Sequence, residues 1–483
     1  MTEHHPYDIG KTVPTSANLF FKGFRLAWIA LGILLILVLA GCGSSSSSND
    51  LPPIEDALWI GIQGGSDGAW QEFISVGTME ELNALGLQQA ATGGVAFQWD
   101  NGVLHISDDD GDGKYGLVVV MALASSQRVT SFALQTTVSE LSSLDFNELL
   151  PQEESATLQV EVEEPTGFGS SYIRLSLHDD YEGISSGFTY SQSFEKPPGT
   201  YDLIVTRANS FSELPTHLEA RRNLSLTDGG TLTETIAGDV FDVANALSGP
   251  YTIQVLNADN NPMDKSLYRG DVNLLTANHT EAELGDKSTS DNTDLTFTTL
   301  GALLGPEDVY LLYLGIEPDD ASFISYFQGF RSEGNKIVKP PSDPLDGAFD
   351  SQTSGGKLLP GLTGTTYTDA IGYTTQYFGT AEDVDYQISM HVSQGRSAEY
   401  TNVTNISFFM PDLTSTQGWN SRWSVPDTAV MDYALASAQV GAAGIDLEDL
   451  INWYLGGTSY LGEDEWFASI AKFEYGEGAG GPL

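Results

Sequence analysis

A short acidic stretch has the residue types and spacing of a calcium loop. Asp108, Asp110, Asp112 and Gly113 match the first half of the pattern D-x-D-x-D-G. Carboxylate oxygens at alternate positions can wrap around one Ca²⁺ ion, which prefers hard oxygen ligands. The bidentate acid that completes such a loop at its twelfth position is missing, because Val119 stands there. The stretch therefore predicts either a weak calcium site or a plain acidic turn between two strands.

A second chemical pattern, G-x-S-x-G, occupies residues 64–68. In a nucleophile elbow this pattern follows a strand and precedes a helix of a parallel sheet, and an acid and a histidine complete the triad. Here the pattern is followed by residues 70–73, Trp-Gln-Glu-Phe, which show no helical face. The histidines further along have no recognisable catalytic setting: His105, His178, His217, His279 and His391. We interpret the pattern as the turn of a β-hairpin.

Two tryptophans lie close together in the sequence Gly-Trp-Asn-Ser-Arg-Trp, residues 418–423. Exposed aromatic rings can stack on sugars or peptides, whereas buried rings fill the core of a β-sandwich. For Trp419 and Trp423 the sequence alone permits both interpretations. One is a ligand platform and the other is packing.

The N-terminus has the zones of a bacterial export signal. Basic residues in the first 25 positions precede the apolar run 27–40. This run of about 14 residues spans about 21 Å as a helix, short of the roughly 30 Å hydrocarbon core of a membrane. It therefore predicts a signal peptide rather than a transmembrane helix. The alternative is an uncleaved signal anchor.

The apolar run ends in Leu39-Ala40-Gly41-Cys42, which resembles the bacterial lipobox. The resemblance implies cleavage before Cys42, lipid on its thiol and attachment of the mature chain to a membrane. Cys42 is the single cysteine of the 483-residue chain, so it has no disulfide partner within it. A serine-rich stretch follows, and residues 42–53 have the composition of a flexible tether. By similarity to bacterial sorting rules, Gly43 favours the outer membrane, while the face of that membrane stays undetermined.

The exported part carries a large negative charge. The chain holds 20 basic and 66 acidic residues, and residues 1–41 contain three of the basic and two of the acidic ones. The remainder therefore has 17 basic and 64 acidic residues, a net charge of −47. Such a charge opposes binding to nucleic acid or to anionic lipid. With 41% hydrophobic and 10% aromatic residues, the chain can nevertheless build cores.

Short alternating segments bounded by Gly, Asp, Asn and Pro recur throughout the exported part, which predicts many short strands. The expected fold class is all-β, with tandem antiparallel β-sandwich modules and a few short helices. The predicted organisation is a signal peptide at 1–41, the tether at 42–53, and β modules at 54–144, 155–237, 250–339 and 345–475.

Local signals place a few elements within these modules. Asn101-Gly102 between two alternating runs predicts a tight hairpin. Helices are expected at 79–85, with Thr78 as N-cap, and at 447–455, where apolar residues recur at helical spacing after Asp446.

The segment at 197–207, Pro-Pro-Gly-Thr-Tyr-Asp-Leu-Ile-Val-Thr-Arg, resembles the turn and strand of carboxypeptidase-regulatory-like, transthyretin-type β-sandwiches. The resemblance implies such a sandwich at 155–237. Residues 66–70 and 114–116 similarly resemble a segment of secreted bacterial proteins. Both motifs are structural, so they imply a fold and no activity.

The combined signals predict a lipid-anchored protein of the cell envelope with a structural, adhesion or binding role. The expected partners are the membrane, through lipid on Cys42, and an envelope protein or a glycan, without nucleic acid. No cofactor is expected besides the calcium considered above. The alternative is an envelope hydrolase or glycosidase that uses paired carboxylates, which an acidic chain has in surplus.

Overall fold

The computed structural model describes residues 54–475 with internal gaps, of which the longest are 109–112, 147–154, 164–171, 186–189, 242–245, 288–293, 342–347, 364–369, 397–404 and 455–460. The predicted all-β class with a few short helices is confirmed.

The strands of the first half are β1 Ala57–Gly64, β2 Gln71–Val76, β3 Gln88–Thr92, β4 Val95–Asp100, β5 Val103–Ser107, β6 Lys114–Leu123, β7 Arg128–Thr137, β8 Ser143–Asp145, β9 Ala156–Val162, β10 Tyr172–Leu177, β11 Asp180–Ser185, β12 Tyr190–Lys196, β13 Gly199–Ala208, β14 His217–Leu226 and β15 Thr231–Ile236. Those of the second half are β16 Ser248–Val255, β17 Ser266–Leu275, β18 Glu281–Lys287, β19 Asp294–Thr299, β20 Val309–Asp319, β21 Ser322–Phe330, β22 Lys336–Val338, β23 Ala348–Ser354, β24 Lys357–Thr363, β25 Ala370–Ala381, β26 Val384–Ser393, β27 Asn405–Ser407, β28 Val430–Gly441 and β29 Trp466–Tyr475. Helices α1 and α2 cover Met79–Asn83 and Leu447–Tyr454.

A long sheet organises the molecule. Its 12 strands run in the order β18-β17-β20-β21-β29-β28-β25-β26-β7-β6-β1-β2. The predicted segments 54–144, 250–339 and 345–475 all contribute strands to it, a connection that the sequence did not predict. That each of these three segments can fold independently stays a prediction.

Both faces of the long sheet are covered near β1, β6 and β7. Strands β6 and β7 are buried over nearly their whole length, which explains their continuous apolar composition. On one face, alternate residues of β1 and β6 pack against the small sheet β3-β4-β5-β8. On the other face, Trp59 and Val118 belong to a core that extends to the distant strands β17, β20 and β21.

The segment 155–237 forms a two-sheet unit of its own. Sheets β11-β10-β13-β14 and β12-β9-β15 enclose a separate core that contains Leu158, Leu175 and Val205. Strand β9 alternates buried and outward-facing side chains, as its sequence predicted. Ile204 and Leu218 face away from this core and pack into the core of the long sheet, so the unit is docked on the rest of the protein.

The local predictions are confirmed. Asn101 and Gly102 both have positive φ, 48° and 85°, as the tight turn between β4 and β5 requires. The Glu81 backbone N–H donates to Thr78 Oγ1 at 3.2 Å and caps α1. Helix α2 is capped reciprocally, because the Asp449 N–H donates to Asp446 Oδ1 and the Asp446 N–H to Asp449 Oδ2, each at 3.1 Å.

Most strand pairs are antiparallel, but three pairs of described strands are parallel: β7–β26, β9–β15 and β16–β22. The pairing of β7 with β26 joins the N-terminal and C-terminal parts of the long sheet, and we call it the seam. Its register runs from Arg128 opposite Asp385 to Gln135 opposite Val392. Two neighbouring parallel strands need a long crossover connection. Here the connection is residues 138–383, between the end of β7 and the start of β26.

A partly buried carboxylate and a buried guanidinium fasten one end of the seam. The Glu140 carboxylate follows β7 and accepts hydrogen bonds from Ser393 Oγ at 2.5 Å and the Gly395 N–H at 2.6 Å. The Arg396 side chain is 1% exposed and donates to the Tyr115 carbonyl oxygen at 3.1 Å. Charge-assisted bonds of this kind are stronger than neutral ones, so the end of β26 is tied to both β6 and β7.

His391 lies in the core beside the seam. Its Nδ1 is 2.8 Å from Thr374 Oγ1, and its ring packs 4.9 Å from that of Phe132. Leu447 and Ile451 of α2 line the same small void. Burial lowers the pKa of His391 to about 3, because the charged imidazolium would lose its hydration.

This burial makes the free energy of unfolding depend on pH. The unfolded chain protonates His391 near its ordinary pKa of about 6.5, whereas the folded protein keeps it neutral until about pH 3. Stability therefore falls as the pH drops below about 6.5. Between pH 7.5 and pH 5, the free energy of unfolding of the unmodified protein should fall by about 2 kcal/mol more than that of His391→Gln, as measured by urea unfolding. The exposed His105 provides the control, since His105→Gln should keep the parental loss. An unchanged pH dependence in His391→Gln would contradict this account.

Candidate ligand-binding surface

Three tryptophans from two distant parts of the chain, Trp59, Trp419 and Trp423, pack together at the β2 end of the long sheet. The Trp419 ring lies 5.3 Å from the Trp59 ring and 5.4 Å from the Trp423 ring, edge to face with each. Trp59 is 0% exposed and Trp423 is 5% exposed, while Trp419 is half-buried. For Trp423 the core interpretation is therefore correct. Trp419 packs against both buried rings and remains partly exposed to solvent.

The loop that carries Trp419 is held by its own hydrogen bonds and by β26. The side chain of Asn420 accepts from the Arg422 N–H at 3.0 Å and caps a short 3-10 turn. The Trp419 indole N–H donates to Ser424 Oγ at 3.2 Å, which fixes the orientation of the ring. Tyr386 of β26 donates its hydroxyl to the Arg422 carbonyl oxygen at 3.2 Å. The seam strand thus positions the tryptophan loop.

A fourth tryptophan, Trp70, lies on the same face of the sheet. Its ring covers Gly116 of β6, where an added Cβ atom would come within 2.7 Å of the ring. The Trp59 ring covers Gly61 of β1 in the same manner. Glycine is needed at both positions because a side chain would displace the indole.

Glu72 lies beside the Trp59 ring, at the position of β2 opposite Gly61. Its Oε2 accepts a hydrogen bond from the Trp59 indole N–H at 3.3 Å. The carboxylate also abuts Gly418, whose φ is +74° and where a Cβ would overlap it. We name the cluster of Trp59, Trp70, Glu72, Trp419 and Trp423 the tryptophan edge. Its solvent-accessible members are Trp70, Glu72 and Trp419.

Only part of the tryptophan edge could be found in the sequence. The pair Trp419 and Trp423 was singled out by its close spacing. Trp59, Trp70 and Glu72 lie more than 300 positions earlier, and no local signal indicates that they face the same loop. The glycines Gly61 and Gly116, which leave room for the rings of Trp59 and Trp70, are the one signal that could indicate this cluster. They indicate it only when the register of β1 and β6 is known, because only the register shows that the two glycines lie close together.

The structure describes the acidic loop only in part. Asp110 and Asp112 lie outside the described residues. Asp108 accepts a hydrogen bond from the Gly113 N–H, so one of its oxygens closes the turn that leads into β6. Val119 lies within β6 and is buried, as expected. Among the described residues, no group of three or more His, Cys, Asp or Glu side chains is arranged to hold a metal ion.

The G-x-S-x-G segment connects two antiparallel strands. Gly64 ends β1, Gly65 has a φ of +75°, and the chain returns as β2, which pairs with β1. Ser66 and Asp67 lie outside the described residues. An elbow requires a helix after the turn in a parallel sheet, so the hairpin interpretation is confirmed.

Two buried carboxylates lie close together where the 155–237 unit contacts the long sheet. Asp202 and Asp308 each accept a hydrogen bond at 3.1 Å from the same nitrogen of Arg222. Burial alone would raise the pKa of the Asp202 carboxyl. Hydrogen bonds from the Asn223 N–H, from Asn278 and from other neighbours hold that pKa below its usual value.

A glycosidase needs one carboxyl with a raised pKa as general acid and access for a sugar. Asp202 has a lowered pKa, and both side chains are 2% exposed. This pair therefore has the properties of a structural ion bridge. It fastens the 155–237 unit to the long sheet.

The predicted lipidation site, Cys42, and the segments 1–41 and 42–53 lie outside the described residues. Within the part of the chain that is described, every helix is too short or too polar to cross a membrane.

Comparisons with known proteins give little further information. No family model and no curated protein matches the chain. Among solved structures, a proposed carbohydrate-binding protein from Bacteroides uniformis has a TM-score of 0.12 and 11% identity, covering 33% of this chain and 88% of its own. A bacterial ice-binding adhesin has a TM-score of 0.12 and 12% identity, covering 61% and 95%. The central fibronectin-III array of RIM-binding protein has a TM-score of 0.11 and 10% identity, covering 56% and 81%. Similarities of this degree support no inference about function.

The packing of Gly418 against Glu72 can be tested by substitution. Gly418→Ala should destabilise the protein through its positive φ and through the clash with the carboxylate. Gly229 is the matched control, because its φ of +65° is close to that of Gly418 and the space around its Cβ position is open. We expect Gly418→Ala to lose about 1 kcal/mol more free energy of unfolding than Gly229→Ala in urea, because the displaced Glu72 carboxylate gives up its hydrogen bond to Trp59. The added substitution Glu72→Ala should recover this excess. Equal losses in the two single variants would show that Glu72 does not abut the loop.

Proposed function

We propose that the protein is a lipid-anchored component of the bacterial cell envelope that acts in binding or adhesion. The tryptophan edge is the observation that carries the binding role. The half-buried Trp419 ring is preorganised, because two other rings and a hydrogen bond hold it in place. Ligand binding would therefore cost little side-chain entropy of the protein. The lipobox-like sequence before Cys42 supports the anchor.

The remaining sequence features agree with this placement. The serine-rich tether at 42–53 would let the folded part extend away from the lipid. A net charge of −47 on the exported part opposes attachment to anionic headgroups through the protein surface, so lipid on Cys42 would have to provide the attachment. We assign the protein to the outer membrane from Gly43, with either face of that membrane open.

The alternative function, hydrolysis by paired carboxylates, has less support. The buried pair Asp202 and Asp308 is bridged by Arg222 and shielded from solvent. The tryptophan edge contributes a single carboxylate, Glu72. A binding role needs no second one.

The anchor is tested by replacing its attachment residue. Cys42→Ser should abolish incorporation of radiolabelled palmitate and should release the protein from the membrane fraction or leave it as an uncleaved precursor. Both effects follow because the serine hydroxyl does not substitute for the thiol in lipid transfer. Ser45→Ala in the adjacent tether is the control and should label like the parent. Unchanged lipid incorporation in Cys42→Ser would refute the lipoprotein assignment.

A further inference from the structure

We propose that the tryptophan edge binds an uncharged glycan chain, with Trp70 and Trp419 as stacking platforms and Glu72 as a hydrogen-bond acceptor. This inference rests on the proposed binding function and specifies its ligand class. It is carried by the ring positions, by the carboxylate and by the charge of the protein.

The two half-buried rings offer surfaces that suit pyranose sugars. One face of a pyranose presents C–H groups, which pack on the electron-rich face of an indole. The Trp419 ring stands nearly perpendicular to the rings of Trp59 and Trp423, and its N–H is already bonded to Ser424. Its solvent-facing part therefore offers aromatic carbon rather than a free donor, which favours stacking over a polar contact.

The two half-buried rings are separate platforms. Trp70 covers Gly116 of β6, whereas Trp419 packs against Trp59, which covers Gly61 of β1. Two platforms associated with different strands can each stack on one unit of an oligosaccharide, which favours a chain as the ligand.

Polar groups beside the rings match the hydroxyls of such a chain. Glu72 is only partly buried and accepts a single indole hydrogen bond on Oε2, leaving carboxylate lone pairs for sugar hydroxyls. The amide of Gln71 next to it is also partly exposed. Stacking surfaces combined with a few acceptors and donors would fix the orientation of a bound saccharide.

Charge selects among glycans. The exported part has a net charge of −47, and Glu72 places a carboxylate at this surface. Anionic polysaccharides would be repelled by both the overall field and this local charge. The charge therefore disfavours anionic polysaccharides and leaves neutral ones, from whose hydroxyls Glu72 can accept hydrogen bonds.

Isothermal titration calorimetry on the full lipoprotein tests the proposal, in a detergent without a sugar headgroup. The probes are cellohexaose, laminarihexaose, mannohexaose and chitohexaose, with an oligogalacturonate as the anionic comparison. We expect at least one neutral hexasaccharide to bind and the oligogalacturonate not to bind. Trp70→Ala and Trp419→Ala should each weaken binding about ten-fold, as the loss of one stacking contact predicts. Trp419→Phe should retain most of the affinity.

Trp466 supplies the matched control, because it is also half-buried against the same core but stacks on Tyr326 elsewhere in the sheet. Trp466→Ala should leave the affinity unchanged, and thermal melting shows whether each variant is folded. The proposal is overturned if no neutral hexasaccharide binds, if the oligogalacturonate binds as well as they do, or if Trp466→Ala weakens binding as much as Trp419→Ala. Envelope attachment is measured separately by palmitate labelling at Cys42, so a failed glycan titration with normal labelling rejects only the ligand.

Discussion

The parallel pairing of β7 with β26 is the interaction on which the rest of the structure depends. It joins the sheet strands of residues 57–137 to those of residues 266–475. Parallel neighbours cannot be connected by a tight turn, so the pairing closes a loop that contains the 155–237 unit, the whole segment 250–339 and the first part of the segment 345–475. Glu140 and Arg396 fasten its end by charge-assisted and buried hydrogen bonds.

The tryptophan edge follows directly from this pairing. Trp59 is on β1 and Trp419 is on a loop 360 positions later. They meet because β26, next to β7, presents Tyr386 to the loop and holds it over the face of β1. The buried His391 is on the same strand, which links the pH dependence of stability to the element that assembles the site.

Local features of the fold could be predicted from the sequence because neighbouring residues determine them. The Asn101-Gly102 turn, the cap of α2 at Asp446 and the alternation of β9 all depend on interactions within a few positions. The shared sheet could not be predicted. Strands β6 and β7 are buried on both faces, so their apolar runs carry no alternation and no indication of which strand lies beside them.

The tryptophan edge likewise could be predicted only where it depends on residues close together in the sequence. Close spacing singled out Trp419 and Trp423, but their separation into a buried ring and a half-buried ring depends on Trp59, which comes from another part of the chain. The lipid site at Cys42 and the aspartates Asp110 and Asp112 are predictions of the sequence that the described residues do not test.

The seam can be tested most directly by disulfide trapping in a chain that begins at residue 43 and so lacks its natural cysteine. Arg128 and Asp385 face each other at one end of the pairing, and neighbouring strands lie about 4.8 Å apart, within the range that a disulfide spans. We expect Arg128→Cys with Asp385→Cys to form an intramolecular disulfide under mild oxidation. Arg128→Cys with Gln387→Cys, two positions out of register, should remain reduced. Failure of the first pair to cross-link in the folded protein, or equal cross-linking of both pairs, would contradict the parallel seam.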